Sequence, residues 1–187
     1  MTEEIKEKFL KDFIISGKEK EKPYIILFDA YTGMGKSTVA RTISKYDNSI
    51  ILNNDEIRMW LKNNDLPTSL KDELQTFRLE ELLNKNISCI HDSCFCHNWQ
   101  KKKQYYDENN IKYYIIRIEC KKETVEERLK TRTVDGINFS TATFNDYLWM
   151  AENVERIPEE YIDFVINTEE NIEEQVLEFL KQNNLDN

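Results

Sequence analysis

The chain has 187 residues and a net charge of −9 at pH 7, with 40% hydrophobic residues. That length suits one domain with a real core, and the aromatic content argues against compositional disorder. No apolar run approaches the ~20 residues of a membrane helix, and the acidic start MTEEIKEK is unlike a signal peptide. Such acidity excludes a broad basic face for long duplex DNA, so any nucleic-acid contact is expected to be local, on a short strand or an end.

In chain order, Ile5, Phe9, Phe13 and Ile14 recur at roughly helical spacing, so an amphipathic helix is predicted over 3–15. A charged connector, Gly17 to Lys22, follows, and residues 1–22 are set apart from a main domain over 23–187. Five short apolar runs come next, at 24–29, 49–53, 87–91, 113–118 and 162–166. They are β-branched or aromatic and nearly continuous, the pattern of strands buried on both faces. Helical patterns lie between and around them at 37–46, 56–62, 69–85, 98–109, 122–132, 143–153 and 171–182. Alternation of this kind predicts an α/β fold, a parallel five-stranded sheet covered by helices.

Two of the four glycines fall in DAYTGMGKST, directly after the first strand. The register Ala30-x-x-x-x-Gly35-Lys36-Ser37 is that of a phosphate-binding loop, with Ala30 in place of the usual first glycine. Gly33 and Gly35 allow the turn that aims the backbone N–H groups of Met34 to Thr38 at an anion. The following helix adds its positive N-terminus. Lys36 supplies a mobile charge for the outer phosphates, and Ser37 a hydroxyl for Mg²⁺. ATP with Mg²⁺ is therefore the expected ligand, and the fold is expected to be that of the P-loop NTPases.

Ligands of open α/β sheets gather at the carboxyl ends of the strands. The second strand runs into Asn54-Asp55-Glu56-Ile57-Arg58, where Asp55 can take the proton of an attacking hydroxyl and Arg58 can fix an anionic acceptor. Asp55 as a helix cap is the plainer alternative. The third strand ends at Asp92, placed to hold Mg²⁺ through water. Arg128 and Arg132, at i and i+4, precede the loop Val134 to Thr141 with Gly136. Together these form a helical lid over about 122–145, with arginines for the transferring phosphoryl group.

These residues resemble the P-loop kinase domain of the phage-type polynucleotide 5′-hydroxyl kinase family. The likeness is strong in the phosphate loop and in Asp55-x-x-Arg58, and otherwise one of order. It implies that Lys36 and Ser37 hold ATP and Mg²⁺, that Asp55 is the general base, and that Arg58 and Asp92 serve the acceptor side. Arg128 and Arg132 become the lid pair. Where that family often has a basic residue before the base, this chain has Asn54. The implied function is transfer of the γ-phosphate of ATP to the 5′-hydroxyl of an oligonucleotide or nucleoside. A small-molecule phosphotransferase or a slow nucleotide switch are the alternatives. A single-stranded nucleic-acid end or a nucleotide is the expected partner, and a membrane is not.

Three further features remain. Cys94-Phe95-Cys96-His97 resembles half a zinc site without a second ligand pair, so no zinc is expected. The four cysteines show no disulfide framework, which makes a reducing cytoplasm the expected location. The run Lys101-Lys102-Lys103 beside Trp99, Tyr105 and Tyr106 suits either a nucleic-acid strand or a solvated helix face. Tyr147 and Trp149 suit either a base clasp or packing.

Overall fold

The structure is a computed structural model describing residues 1–13, 17–132 and 140–185. Five parallel strands stand in the order β2-β3-β1-β4-β5. They are β1 (Tyr24–Asp29), β2 (Ile50–Asn53), β3 (Cys89–Cys94), β4 (Lys112–Glu119) and β5 (Phe164–Asn167). Every residue of the central β1 is buried, as its unbroken apolar run requires. The chain leaves β1 toward β2 and leaves β3 toward β4, in opposite directions along the sheet. That divergence opens a crevice at the carboxyl ends of β1 and β3.

Eight α-helices surround the sheet: α1 (Glu3–Asp12), α2 (Lys36–Asp47), α3 (Asn54–Asn63), α4 (Lys71–Asn84), α5 (Trp99–Glu108), α6 (Lys122–Thr131), α7 (Phe144–Asn153) and α8 (Ile172–Gln182). The main core gathers both faces of the sheet with α2, α5, α6 and α8. A smaller core joins α1 to α3 and α4 through Phe9, Ile57, Trp60, Leu61 and Leu74. Here the rings of Phe9 and Trp60 meet edge to face at 5.0 Å, and the Trp60 indole donates to Asp12 at 2.7 Å. The N-terminal helix thus braces the two helices that follow β2.

Several boundaries differ from the sequence expectations, each for a local reason. The first helix stops at Asp12, where the Phe13 N–H closes onto the Phe9 carbonyl; Ile14 lies outside the described residues. The third strand begins at Cys89 rather than 87 because Ile87 instead forms an isolated bridge with Glu19 of the connector. It then runs on to Cys94 after a register shift against Leu27 and Phe28. The second strand's helix starts at Asn54, since the Asn53 side chain accepts from the N–H groups of Asp55 and Glu56. The last strand starts at Phe164, because Glu159–Tyr161 form a short 3-10 turn.

Candidate active site

A cavity of about 820 Å³ opens at the carboxyl edge of the sheet. The phosphate loop forms one wall. Gly33 and Gly35 have φ of +78° and +100°, left-handed values that strain other residues. Close packing adds a second constraint. A Cβ on Gly33 would meet Leu129 of α6 at 2.7 Å, and one on Gly35 would meet Thr168 at 2.9 Å. Lys36 and Ser37 open α2 and line the cavity with Thr38. The Lys36 ammonium donates to the Tyr31 carbonyl at 2.7 Å, a bond within the loop that an incoming phosphate can replace. Ala30 and Met34 are buried and give the cavity no side chain; the Met34 sulfur instead accepts from the Tyr31 N–H at 3.2 Å.

Asp92 lies within β3 rather than at its end, paired in register with Asn53 of β2. The Asn53 amide donates to its carboxylate at 3.2 Å. Burial pushes the Asp92 carboxyl above its usual range, opposed by the neighbouring Ser37 hydroxyl and the Lys36 and Arg41 charges. Asp55 stands in the first turn of α3, and the cap is Asn53, so the plainer reading of Asp55 as the cap is set aside. Arg58 donates to the Asp55 carboxylate from one turn further on. Both line the cavity.

Arg128 and Arg132 also line it, at the end of α6. Arg128 is firmly held: its guanidinium donates to the Thr168 hydroxyl at 2.9 Å and to the Thr168 carbonyl at 2.8 Å. Thr168 in turn donates to the Met34 carbonyl at 2.9 Å, joining the loop after β5 to the phosphate loop. Arg132 is the last described residue before 133–139, so most of the expected lid loop, Gly136 included, lies outside the described residues.

Two elements of the site escaped sequence reasoning. Thr168 is one. The other is Asp29, fully buried at the end of β1 and clasped by Arg117 at 2.8 Å and Arg156 at 3.0 Å. This cluster pins the strand that launches the phosphate loop to the segment following α7. The basic run of α5 divides. Lys102 reaches the cavity, Lys103 pairs with Asp107 at 2.6 Å, and Trp99 is buried against Tyr161. Tyr147 stacks on Phe144, while Trp149 is exposed. Cys96 is buried with its thiol toward the Ala30 carbonyl, and Cys94 and His97 line the cavity. Among the described residues no group of three or more His, Cys, Asp or Glu is placed to hold a metal. Nor is any described helix long and apolar enough to cross a membrane.

A glycine turn presenting lysine and serine to a crevice at the carboxyl edge of a parallel sheet defines a P-loop fold. A family model described as an AAA domain matches residues 26–157, and the chain belongs to that family. No curated protein sequence matches it. Among solved structures, the APS kinase CysC of Mycobacterium tuberculosis, in complex with AMPPNP and APS, is similar with a TM-score of 0.59 at 16% identity. That match covers 88% of this chain and 99% of the other. A gluconokinase from Sinorhizobium meliloti 1021 is similar at 0.56 and 15%, covering 88% and 92%. Shikimate kinase from Acinetobacter baumannii, in complex with shikimate, is similar at 0.56 and 14%, covering 87% and 93%. At these identities the likeness is one of fold, and the fold is that of P-loop kinases.

Proposed function

We propose that this protein is an ATP-dependent kinase that moves the γ-phosphate onto a hydroxyl, the 5′-hydroxyl of a nucleoside or short oligonucleotide. One observation carries the reading: a single cavity holds the phosphate-loop pair Lys36 and Ser37 together with the carboxylate–guanidinium pair Asp55 and Arg58. A nucleotide switch needs only the first pair. The second supplies a proton acceptor and an anion grip for a second substrate.

In this mechanism Asp55 takes the proton of the acceptor hydroxyl while Arg58 orients the carboxylate and the acceptor. Lys36 exchanges the Tyr31 carbonyl for the outer phosphates of ATP. Arg132, with Arg128 behind it, meets the charge of the transferring phosphoryl group, and α6 excludes water beside it. The donors suit Mg²⁺: the hard oxygens of the Ser37 hydroxyl and of Asp92, a carboxylate whose burial disfavours an uncompensated charge. When bound, the ion supplies neutralisation of phosphate charge.

A second reading, a small-molecule phosphotransferase, is supported by the solved neighbours, two of which are described with APS or shikimate bound. Transfer of radiolabel from γ-labelled ATP to a panel of oligonucleotides, nucleosides, sugars and antibiotics tests both. Label on the nucleoside or oligonucleotide acceptors supports the first reading. Label confined to sugars or antibiotics selects the second, and ATP hydrolysis without any acceptor labelling sinks both.

A further inference from the structure

The wall facing the phosphate loop has no part in the chemistry above. It is built by the start of α4, the turn before α5 and the first turn of α5, which bring Lys71, Asp72, Gln75, His97 and Lys102 to the same cavity. Lys102 is half-buried and, among the described residues, has no carboxylate within ion-pair distance; its ammonium rests 5.7 Å from the Phe95 ring centre. Both ammonium groups line the one cavity, and burial and then the charge of Lys71 lower the pKa of Lys102. Lys71 is largely buried and pairs at 2.7 Å with Asp72, whose own side chain is exposed to solvent.

Gln75, which lines the same cavity, is tied to the sheet. Its amide nitrogen lies 2.5 Å from Nε2 of His91. An amide nitrogen only donates, so Nε2 of His91 accepts, which leaves the second amide N–H of Gln75 unspent. Two cations lining one cavity, with Asp72 the one carboxylate paired to either of them among the described residues, are an unfavourable arrangement unless something anionic joins them.

We propose that Lys71, Lys102 and the free N–H of Gln75 form a subsite for a compact oxyanion, a phosphate or carboxylate carried by the acceptor, and thereby restrict the enzyme to anionic acceptors. This rests on reading the cavity as a kinase site, and it adds a specificity wall beyond Asp55 and Arg58. An uncharged acceptor of similar shape would leave the Lys102 ammonium in the cavity with no anion to pair with. Discrimination against a molecule that lacks a group the site is built to bind is correspondingly strong.

Binding is measured first, apart from transfer. With the phosphate loop filled by AMPPNP and Mg²⁺, inorganic phosphate is titrated calorimetrically into the wild type, Lys102→Gln and the double variant Lys71→Gln/Lys102→Gln. AMPPNP binding itself reports that the variants are folded. Phosphate affinity should fall about tenfold or more per lysine, the weight of one charge-assisted hydrogen bond, and Lys102→Arg should recover most of it. No phosphate binding by the wild type, or equal binding by the variants, overturns the subsite.

Transfer is then compared on deoxyadenosine 3′-phosphate and gluconate against deoxyadenosine and glucose. The preference for charged over uncharged acceptors should collapse in the lysine variants, and which charged acceptor loses most identifies phosphate or carboxylate as the natural group. A preference that survives in the variants overturns the subsite with the kinase reading intact. Transfer to no acceptor defeats the kinase reading, while the phosphate titration still decides the subsite.

Discussion

For Asp55 the proposed catalytic role depends on what caps α3. The helix start that Asp55 could have capped is already capped by Asn53, which frees the carboxylate to face the cavity. Asp55→Asn keeps the shape and removes the proposed base. Turnover should fall about 10²–10⁴-fold, the usual worth of a positioned proton acceptor, with AMPPNP affinity unchanged. Lost nucleotide affinity in that variant would make Asp55 a metal or structural residue instead. His91 permits a second test at this scale. Its folded pKa of about 3 lies below the ordinary 6.5, so burial of the neutral ring stabilises the fold fully above pH 6.5. That contribution is lost as pH falls toward 3, because the unfolded state takes up the proton first. Relative to His91→Leu, which has no such titration, the wild type should lose about 2 kcal/mol between pH 7.5 and 5. Urea unfolding of both proteins across that range measures it, and parallel pH profiles would show that His91 does not titrate on unfolding.

At the scale of elements, the phosphate loop is held from behind by the loop after β5 and by α6. Thr168 joins the three, donating to the Met34 carbonyl and receiving the Arg128 guanidinium. Thr168→Ala removes both bonds without touching the cavity's acceptor wall. The KM for ATP should rise about tenfold, consistent with one or two lost hydrogen bonds, while that of the acceptor stays near its wild-type value and Thr168→Ser restores both. Equal effects on the two substrates would show that Thr168 supports the fold at large. The same elements show what could be read without coordinates. The strands were legible because their apolar runs are nearly continuous, fully so in the buried central β1, and the phosphate loop because its chemistry is local, all within Ala30 to Thr38. Asp29 was not, since the partners that clasp it, Arg117 and Arg156, are 88 and 127 residues away. Thr168 likewise reads as an ordinary loop residue until the sheet places it against Met34. The third strand's start was misjudged because Ile87 is apolar enough for a strand but bridges the connector instead.

Considered as a whole, the molecule carries its charges unevenly. Its net charge is −9. Yet among the described residues the cavity is walled by Lys36, Arg128 and Arg132 on the phosphate side, by Arg41 and Arg58, and by Lys71 and Lys102 opposite, against the carboxylates of Asp55, Asp72 and Asp92. A basic cavity in an acidic body draws anionic substrates inward while the outer surface repels a long polyanion. Salt separates these two effects. If the acceptor is a nucleic-acid end, the logarithm of its KM should rise with the logarithm of salt with a slope near 0.7 for each phosphate neutralised on a single strand. Lys103 is paired with Asp107, so the groups inside the cavity are the ones expected to neutralise phosphates. We therefore expect a slope worth about one or two phosphates, and expect it not to steepen as the acceptor grows from a nucleoside 3′-phosphate to a 20-mer. Steady-state kinetics across a salt series with acceptors of increasing length make the measurement. A slope that climbs with length would reveal a binding track outside the cavity and a true polynucleotide enzyme. A flat response with every acceptor would mean that the transferred phosphate lands on an uncharged molecule, which leaves a nucleoside acceptor in place and overturns the anion subsite.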